Sequence, residues 1–361
     1  TKDDYYSLRV RSALCIGGVI GLVFGSLLSG LHQLTVPVMQ QPTDRVLHYS
    51  LSDVRTRPAS NHYLVFSVPG GDDENAFSPE CKSRLDALER FYNERRGKRQ
   101  ERVRVAREKS QNVYQSSDVL RTFSQRITLF DMWEPEAVCI AEERSGGDER
   151  FDAFSDGPKF VCGVDYLREL YATTKQTTQQ QPQPCLVYSI GSNNDVAFEK
   201  AIKRDIGCEI HTFDPTLTKP FVGDAYSTFH PWGLGEDGAT DKRGFKEYSF
   251  DYIVRELGHT NRTINILKID CDGCEYATMP PIFEAVTQGK LKIDQILIEM
   301  HRPGVGDSFE PPTKFFELAD AAGYRITHKE RNHWGCAGVH CVEYALVSND
   351  FIRSTTASVI C

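Results

Sequence analysis

The sequence predicts an α/β fold built on a mostly parallel, doubly wound sheet, and three observations indicate it. Several short apolar runs end at turn residues, as strands buried on both faces of a parallel sheet do. Helical patterns separate these runs, which is typical of parallel strands joined by crossover helices. Polar residues follow many of the runs directly, at the sheet edge where such folds bind their ligands.

The stretch Cys185–Pro215 is the centre of this prediction. A buried strand over 186–190 stops at Gly191, a helical pattern follows, and a second strand ends at Asp214. A glycine turn lets backbone approach a ligand, and a helix N-terminus offers unpaired N–H groups. An acidic residue about twenty positions later can accept hydrogen bonds from ribose hydroxyls. The unit predicts a site for a nucleoside-containing cofactor; the alternative is an ordinary turn and a chance acidic residue.

Composition narrows the class of protein. A chain of 361 residues with 40% hydrophobic and 25% charged residues fits one large globular domain or two ordinary ones. The formal net charge of −8 argues against a nucleic-acid partner, because binding to phosphates needs basic surfaces. Eleven cysteines favour an oxidising, secretory location.

Residues 13–33 are predicted to form a transmembrane signal-anchor helix. The run Ala13–Leu31 carries no charge and is long enough to cross a bilayer. Arg9 and Arg11 precede it, so the positive-inside rule places a tail of residues 1–12 in the cytoplasm. We therefore expect a single-pass type II membrane protein of the Golgi or endoplasmic reticulum with a lumenal domain. A cleaved signal peptide and a buried helix are the alternatives.

Residues 34–127 are predicted to form a stem. Its charge-dense part, 81–111, predicts a solvated helix interrupted at Gly97, and the alternative is a basic patch for acidic glycans or lipid headgroups.

Residues 128–184 form a cysteine-containing lead-in to the main domain. Cys139 and Cys162 suggest a disulfide there, although spacing does not give the pairing. The polar segment Thr173–Pro184 predicts a flexible linker.

The main domain is predicted over 185–361. Its further strands are expected at 226–230, 264–269, 293–299, 324–328 and 342–348, with helices at 250–257 and 315–322. Asp270, Glu299 and His301 follow the ends of two of these strands, so we expect them beside Gly191 and Asp214 at one sheet edge. Asn261 begins a glycosylation sequon, which mildly supports a lumenal domain.

Several segments in the right order resemble the S-adenosylmethionine-dependent methyltransferases. Among these the chain most resembles the family of methyltransferase-like protein 24, a relative of the FkbM-type enzymes. The segments are VYSIGSNND, HTFDPT, HPWGLG, ILKIDCDGCE and QILIEMH, after a lead-in FDMWEPEAVC…DGPKFVC. The likeness covers about 128–348, and the order of the segments carries it more than any single one.

The resemblance implies a Rossmann-like class I methyltransferase sheet whose last strand is antiparallel, with S-adenosylmethionine as cofactor. It implies that Gly191 and Ser192 face the methionine part, that Asp214 faces the ribose, and that Trp232–Gly235 lies near the adenine. The implied cofactor-binding residues are Gly191, Ser192, Asn193, Asp195, Asp214, Trp232, Gly233, Leu234 and Asp270. The chain departs from the family at Asp272, where glutamate is more common, and in its glycine-poor first turn.

The implied chemistry is methyl transfer to a hydroxyl, which needs an aligned nucleophile and a base. His301 is the candidate base because an imidazole ordinarily titrates near neutrality, with Glu299 or Asp270 as orienting carboxylate. In the alternatives, His301 is structural, or Asp270, Glu299 and His301 hold a divalent metal. We predict that this site holds no metal.

Cys271 and Cys274 have C-x-x-C spacing. A disulfide or buried thiols are expected here. A zinc site would need a second pair, and Cys336 with Cys341 is the candidate.

The predicted function is O-methylation of a glycan, a small molecule or another hydroxyl acceptor by a membrane-anchored methyltransferase. The first alternative is a membrane-anchored α/β scaffold that has lost catalysis. The second is a nicotinamide-dependent dehydrogenase, which the order of Tyr171 and Lys175 before the nucleotide strand disfavours. The sequence does not predict the oligomeric state.

Overall fold

The computed structural model describes residues 77–113, 130–147, 156–177, 184–241, 243–303, 310–334, 336 and 340–361. The predicted signal-anchor at 13–33 and most of the predicted stem lie outside these residues. Within the described part of the chain, none of the helices combines the length and the apolar character needed to cross a membrane.

A seven-stranded sheet forms the centre of the fold. Its strands are β3 (Leu186–Ile190), β4 (Glu209–Phe213), β5 (Thr228–His230), β8 (Ile264–Ile269), β9 (Ile293–His301), β10 (Tyr324–Arg331) and β11 (Cys341–Ser348). They lie in the order β10-β11-β9-β8-β3-β4-β5. Strand β11 runs antiparallel to both of its neighbours, whereas the pairs from β9 to β5 are parallel. The predicted mostly parallel sheet with an antiparallel last strand is confirmed.

Two small sheets flank this centre. Strands β1 (Glu142–Ser145) and β2 (Lys159–Cys162) form an antiparallel pair, and β6 (Gly233–Leu234) pairs in parallel with β7 (Glu247–Tyr248).

Seven helices accompany the strands in the described residues. They are α1 (Pro79–Val113), α2 (Val164–Thr177), α3 (Ala197–Asp205), α4 (Phe250–Glu256), α5 (Glu275–Thr287), α6 (Glu310–Ala321) and α7 (Asn349–Ile360). Helices α4, α5 and α6 pack on one face of the sheet, and α2, α3 and α7 on the other.

The core follows from strands that are apolar on both faces. In β3, Leu186, Tyr188 and Ile190 point to the α4–α6 face and Val187 to the opposite face, as the two-residue period of a strand requires. All six residues of β8 are buried. A central parallel strand covered on both sides is mostly apolar, as β8 is apart from two hydrogen-bonded polar residues, and this is why the sequence located these strands well.

The charged helix differs from the prediction of a solvated, interrupted stem helix. Helix α1 continues through Gly97 for 35 residues and buries Leu85, Tyr92 and Val103. Arg99, only 2% exposed, donates to Glu136 and to Asp320. One glycine in a helix costs only about 1 kcal/mol, which packing on the domain outweighs.

The predicted linker is also partly wrong, because α2 extends to Thr177. Residues 178–183 lie outside the described residues.

Ten of the eleven cysteines form disulfides; Cys15 lies outside the described residues. The pairs are Cys81–Cys361, Cys139–Cys162, Cys185–Cys208, Cys271–Cys274 and Cys336–Cys341. The expected disulfide in the lead-in is confirmed, as is the one at the C-x-x-C spacing. The zinc alternative for Cys271, Cys274, Cys336 and Cys341 is wrong, because each pair is already bonded.

Candidate active site

A cleft of about 480 Å³ opens at the carboxyl ends of the parallel strands. All eleven candidate residues line it: Gly191, Ser192, Asn193, Asp195, Asp214, Trp232, Gly233, Leu234, Asp270, Glu299 and His301. Parallel strands bring their carboxyl ends to one edge, so residues more than a hundred positions apart meet there. The volume lies within the range usual for sites that enclose a small organic ligand.

The turn after β3 passes extremely close to the residue that follows β8, the neighbouring strand in the sheet. Gly191 has φ +75°, and a Cβ at this position would lie 1.6 Å from the carbonyl oxygen of Asp270. Asn193 and Asn194 also have positive φ, at 45° and 63°. Asparagine tolerates this region better than other non-glycine residues. The turn therefore reaches its shape with one glycine and two asparagines, despite its departure from a glycine-rich pattern.

Asp214 holds this turn together. Its Oδ2 accepts hydrogen bonds from the N–H groups of Ser192 at 3.0 Å and Asn193 at 2.8 Å. Its Oδ1 accepts from the backbone and the hydroxyl of Thr216, at 2.8 and 2.6 Å. Burial opposes ionisation, but these hydrogen bonds lower the pKa of Asp214 below its usual value. The carboxylate of Asp214 thus holds the turn after β3 in place, and its contact with a ribose stays a prediction.

Aromatic rings form the wall beyond Asp214. The ring of Trp232 lies 4.7 Å from that of His230 and 5.4 Å from that of Tyr248, measured between centroids. Gly233 and Leu234 continue this wall as β6. A half-buried indole with these neighbours offers a flat apolar surface, which suits a purine base.

His301, at the end of β9, is surrounded by carboxylates. Its Nδ1 lies 2.7 Å from Oε1 of the fully buried Glu275. Its Nε2 lies 3.3 Å from Asp272 and 3.6 Å from Glu299. Although burial disfavours the imidazolium, the hydrogen bonds to Asp272 and Glu275 outweigh it and raise the pKa of His301 to about 10. These carboxylates thus shift the pKa of His301 above the near-neutral value of an unperturbed imidazole, and its role as base stays a prediction.

Asp270 and Glu299 share a site with a buried lysine. Lys159 of β2, 2% exposed, lies 3.3 Å from Asp270 and also contacts Glu343 of β11. Despite burial, Lys159 and Lys268 hold the pKa of Asp270 well below its usual range. Burial and the nearby charge of Asp270 raise the pKa of Glu299 to about 9. The two neighbouring acids thus have pKa values shifted in opposite directions.

Two disulfides border these acids. Cys271–Cys274 closes the loop that carries Asp272, and Cys336–Cys341 lies beside Glu299. Carboxylate and imidazole atoms of Asp270, Asp272 and His301 are close enough together to hold a cation. The predicted absence of a metal and the alternative of a divalent ion here both stay predictions.

Sequence reasoning missed four residues of this site: Lys159, Glu275, Glu343 and Asn332. Asn332 donates to Glu299 at 2.7 Å. Glu275 lies in the segment that resembles the methyltransferases and was within reach of that comparison. Lys159 also lies in a resembling segment, the lead-in, but its role depends on β2 reaching carboxylates more than a hundred residues away.

Comparisons with known proteins identify the family of the chain. A family model described as a methyltransferase domain matches residues 90–348. The curated "Probable methyltransferase-like protein 24" of Rattus norvegicus is 24% identical over 156 residues, which are 41% of this chain and 41% of that protein. The matched region thus spans less than half the length of this relative.

Solved structures give weaker likenesses. A fibrillarin pre-rRNA processing protein of Methanococcus jannaschii is 11% identical, with a TM-score of 0.29 over 58% of this chain and 88% of that one. A 1,6-didemethyltoxoflavin-N1-methyltransferase of Burkholderia thailandensis, solved with S-adenosylhomocysteine, is 12% identical. Its TM-score is 0.27 over 51% of this chain and 77% of that one. At such low scores these structures do not bear on the acceptor.

Proposed function

Since the chain belongs to the methyltransferase-domain family that it matches over residues 90–348, we propose that it methylates a hydroxyl oxygen of a glycan or similar acceptor. The protein is an S-adenosylmethionine-dependent methyltransferase. A hydroxyl acceptor is supported by the cluster of His301, Glu299 and Asp270 in the cleft. Such a cluster can bind hydroxyl groups and receive a proton from one of them.

The cleft fits the cofactor. The turn at Gly191 leaves room for backbone to approach a ligand, and Trp232 provides a flat surface for the adenine. Asp270 and Asp272 place negative charge where a cationic group is favoured. When bound, S-adenosylmethionine supplies an electrophilic methyl group on a positively charged sulfonium.

The chain's own residues would manage the proton of the acceptor. Glu275 binds Nδ1 of His301 and so directs Nε2 towards Asp272 and Glu299. Nε2 is the atom that would take the hydroxyl proton, once the imidazole is neutral. The raised pKa of Glu299 favours its protonated, hydrogen-bond-donating form and the lowered pKa of Asp270 favours its accepting carboxylate, so the pair would orient an acceptor with more than one hydroxyl group.

A secretory location favours glycans as acceptors. Five disulfides in the described residues are typical of proteins that fold in an oxidising compartment. The sequon residue Asn261 is exposed in the turn before β8. We propose that residues 13–33 anchor the protein with this domain in the lumen of the Golgi or endoplasmic reticulum.

Two experiments test cofactor binding and methyl transfer separately. Calorimetric titration of the full chain with S-adenosylmethionine, and with NAD as control, measures cofactor binding alone. Incubation with methyl-labelled cofactor and mixed glycans or glycoproteins then measures transfer. We expect label that resists mild base, because a methyl ether is stable where a methyl ester releases methanol. Base-labile label, or label on an amine, would overturn the hydroxyl proposal even if the cofactor binds.

A further inference from the structure

A second cluster of metal-binding side chain types lies away from the cleft. We call Glu209, His211 and His259 the Glu-His-His cluster. Glu209 begins β4, roughly 16 Å from Asp214 at 3.3 Å per residue, and His211 lies in the middle of the strand, roughly 10 Å from Asp214. None of the three residues lines the cleft. The methyltransferase reaction as proposed does not use them.

Strand geometry and a loop bring these side chains together. Glu209 and His211 are two residues apart on β4, so both point to the same face of the sheet. His259 comes from the connection between α4 and β8, which packs on that face. The disulfide Cys185–Cys208 joins the chain just before β3 to the residue before Glu209, which fixes the start of β4.

The ligand atoms have the spacing of a coordination shell. Oε1 of Glu209 lies 3.1 Å from Nε2 of His211 and 3.5 Å from Nε2 of His259. All three atoms lie within 4.8 Å of one another. Ligands at 2.0–2.1 Å from a tetrahedral ion are about 3.3 Å apart, so the two separations from Oε1 of Glu209 suit a single ion between these atoms.

The far atom of each ligand is held by an outer contact. Nδ1 of His259 lies 2.8 Å from the hydroxyl of Tyr188, and Nδ1 of His211 lies 2.9 Å from Nε2 of His230. Arg262 donates to Oε2 of Glu209 at 2.6 Å. Metal-binding histidines and carboxylates are usually oriented in this way by a second layer of hydrogen bonds.

We propose that Glu209, His211 and His259 bind one Zn²⁺ ion, through one carboxylate oxygen and two imidazole nitrogens. This mixed nitrogen and oxygen set suits zinc and disfavours Mg²⁺ or Ca²⁺, which take oxygen ligands. Both histidines are buried, at 7% and 6% exposure, whereas the Glu209 side chain is 33% exposed. Solvent can thus reach the cluster from the side of Glu209, and a water molecule can complete the tetrahedron. The ion would tie β4 to the connection before β8.

The competing interpretation needs no ion. Glu209 can accept hydrogen bonds from both Nε2–H groups, with Tyr188 and His230 donating to the other nitrogens. The two states differ in whether both Nε2 atoms carry protons or bind metal. Metal binding measures that difference directly.

The first experiment uses the wild-type full chain without a polyhistidine tag. We expect one tightly bound zinc per chain by elemental analysis, and an X-ray absorption spectrum of that zinc with two imidazole ligands and light oxygen ligands. After chelation, added zinc should raise the thermal unfolding midpoint. Absence of bound zinc together with no change of midpoint would overturn the proposal, as would a spectrum dominated by oxygen.

Variants locate the ion. His259→Gln should lower the zinc affinity by about 100-fold or more, and Tyr188→Phe by roughly 10-fold, because it removes only an outer contact. His328→Gln is the matched control, since His328 also lies 2.7 Å from one carboxylate, that of Glu142, but outside the cluster. Unchanged zinc affinity in folded His259→Gln protein would place the ion elsewhere and contradict the proposal.

Discussion

At the residue scale, the protonation of His301 is set by the acids packed around it. Asp272 is 95% exposed and held near Nε2 by the loop that Cys271–Cys274 closes, whereas Glu275 is fully buried at Nδ1. An imidazole with a pKa of about 10 is charged at neutral pH. If His301 is the base, the reaction needs the small fraction of protein in which this proton has left.

Asp272→Asn is expected to move the acid limb of the kcat/KM pH profile down by about one unit. The wild-type limb should rise with pH towards the raised pKa of His301, because only the neutral imidazole accepts a proton. Losing the negative charge at Asp272 makes that neutral form available at lower pH. Asp251→Asn, an exposed aspartate paired with Arg255 on α4, is the control. An unmoved limb in Asp272→Asn would mean that another group accepts the proton.

Gly191→Ala is expected to abolish measurable binding of S-adenosylmethionine. The new Cβ would collide with the carbonyl of Asp270, so the turn would have to move away from the cleft. Gly207→Ala is the matched control: Gly207 also has positive φ, at +84°, but open space around it. The control should lose only about 1 kcal/mol of stability and keep its affinity. Equal losses in calorimetry would show that backbone strain, not the close approach, matters.

At the element scale, β2 reaches into the sheet edge and supplies the buried charge there. The side chain of Lys159 lies between the carboxylates of Asp270 and Glu343. Its burial disfavours the ammonium, yet these two carboxylates raise the pKa of Lys159 above its usual value. The lead-in is thus part of the active-site structure and not only a connection to it.

Lys159→Met is expected to lower the free energy of unfolding by about 3–5 kcal/mol, because it leaves buried carboxylates without their cation. The double variant Lys159→Met/Glu343→Gln should recover part of this loss, since it removes one of those charges. Urea denaturation of each variant measures the effect. A double variant less stable than the single one would contradict the ion-pair explanation.

The hydrophobic periodicity of the sequence predicted the central strands, but it failed for residues whose burial depends on contacts between distant parts of the chain. The prediction for β8 matched Ile264–Ile269, because a strand buried on both faces leaves a mostly apolar run. The stem interpretation of α1 failed because its buried residues are widely spaced among charges, and Arg99 is buried only through Glu136 and Asp320. Lys159 was missed for the same reason. The positions of strand ends thus predict which residues lie together at the sheet edge. They do not predict the charged side chains from other elements that form ion pairs there.

At the scale of the whole molecule, Cys81–Cys361 joins the start of α1 to the residue after α7, across 280 positions. Leu85 of α1 and Ala357 of α7 pack beside it in a small apolar cluster. The helix that precedes the lead-in is therefore fixed covalently to the last helix of the domain. Fragments that begin after α1 would lose this contact.

Cys81→Ala/Cys361→Ala is expected to lower the free energy of unfolding by about 3–5 kcal/mol, mainly because the unfolded chain gains freedom. The Cys139–Cys162 disulfide closes a loop of only 23 positions. The variant Cys139→Ala/Cys162→Ala should therefore lose about 2 kcal/mol less stability than Cys81→Ala/Cys361→Ala. Chemical denaturation under non-reducing conditions compares the two. A larger loss in the second variant would show that local packing outweighs loop length.

The Cys81–Cys361 bridge also makes the folded domain a closed covalent ring. Opening a ring once does not divide it, so a single protease cut at any peptide bond between residues 82 and 360 leaves one molecule of unchanged mass, apart from an added water. The two pieces separate only when the disulfide is reduced. Without reduction, a second cut is needed to release a fragment. A nicked domain would therefore pass for intact protein on a non-reducing gel.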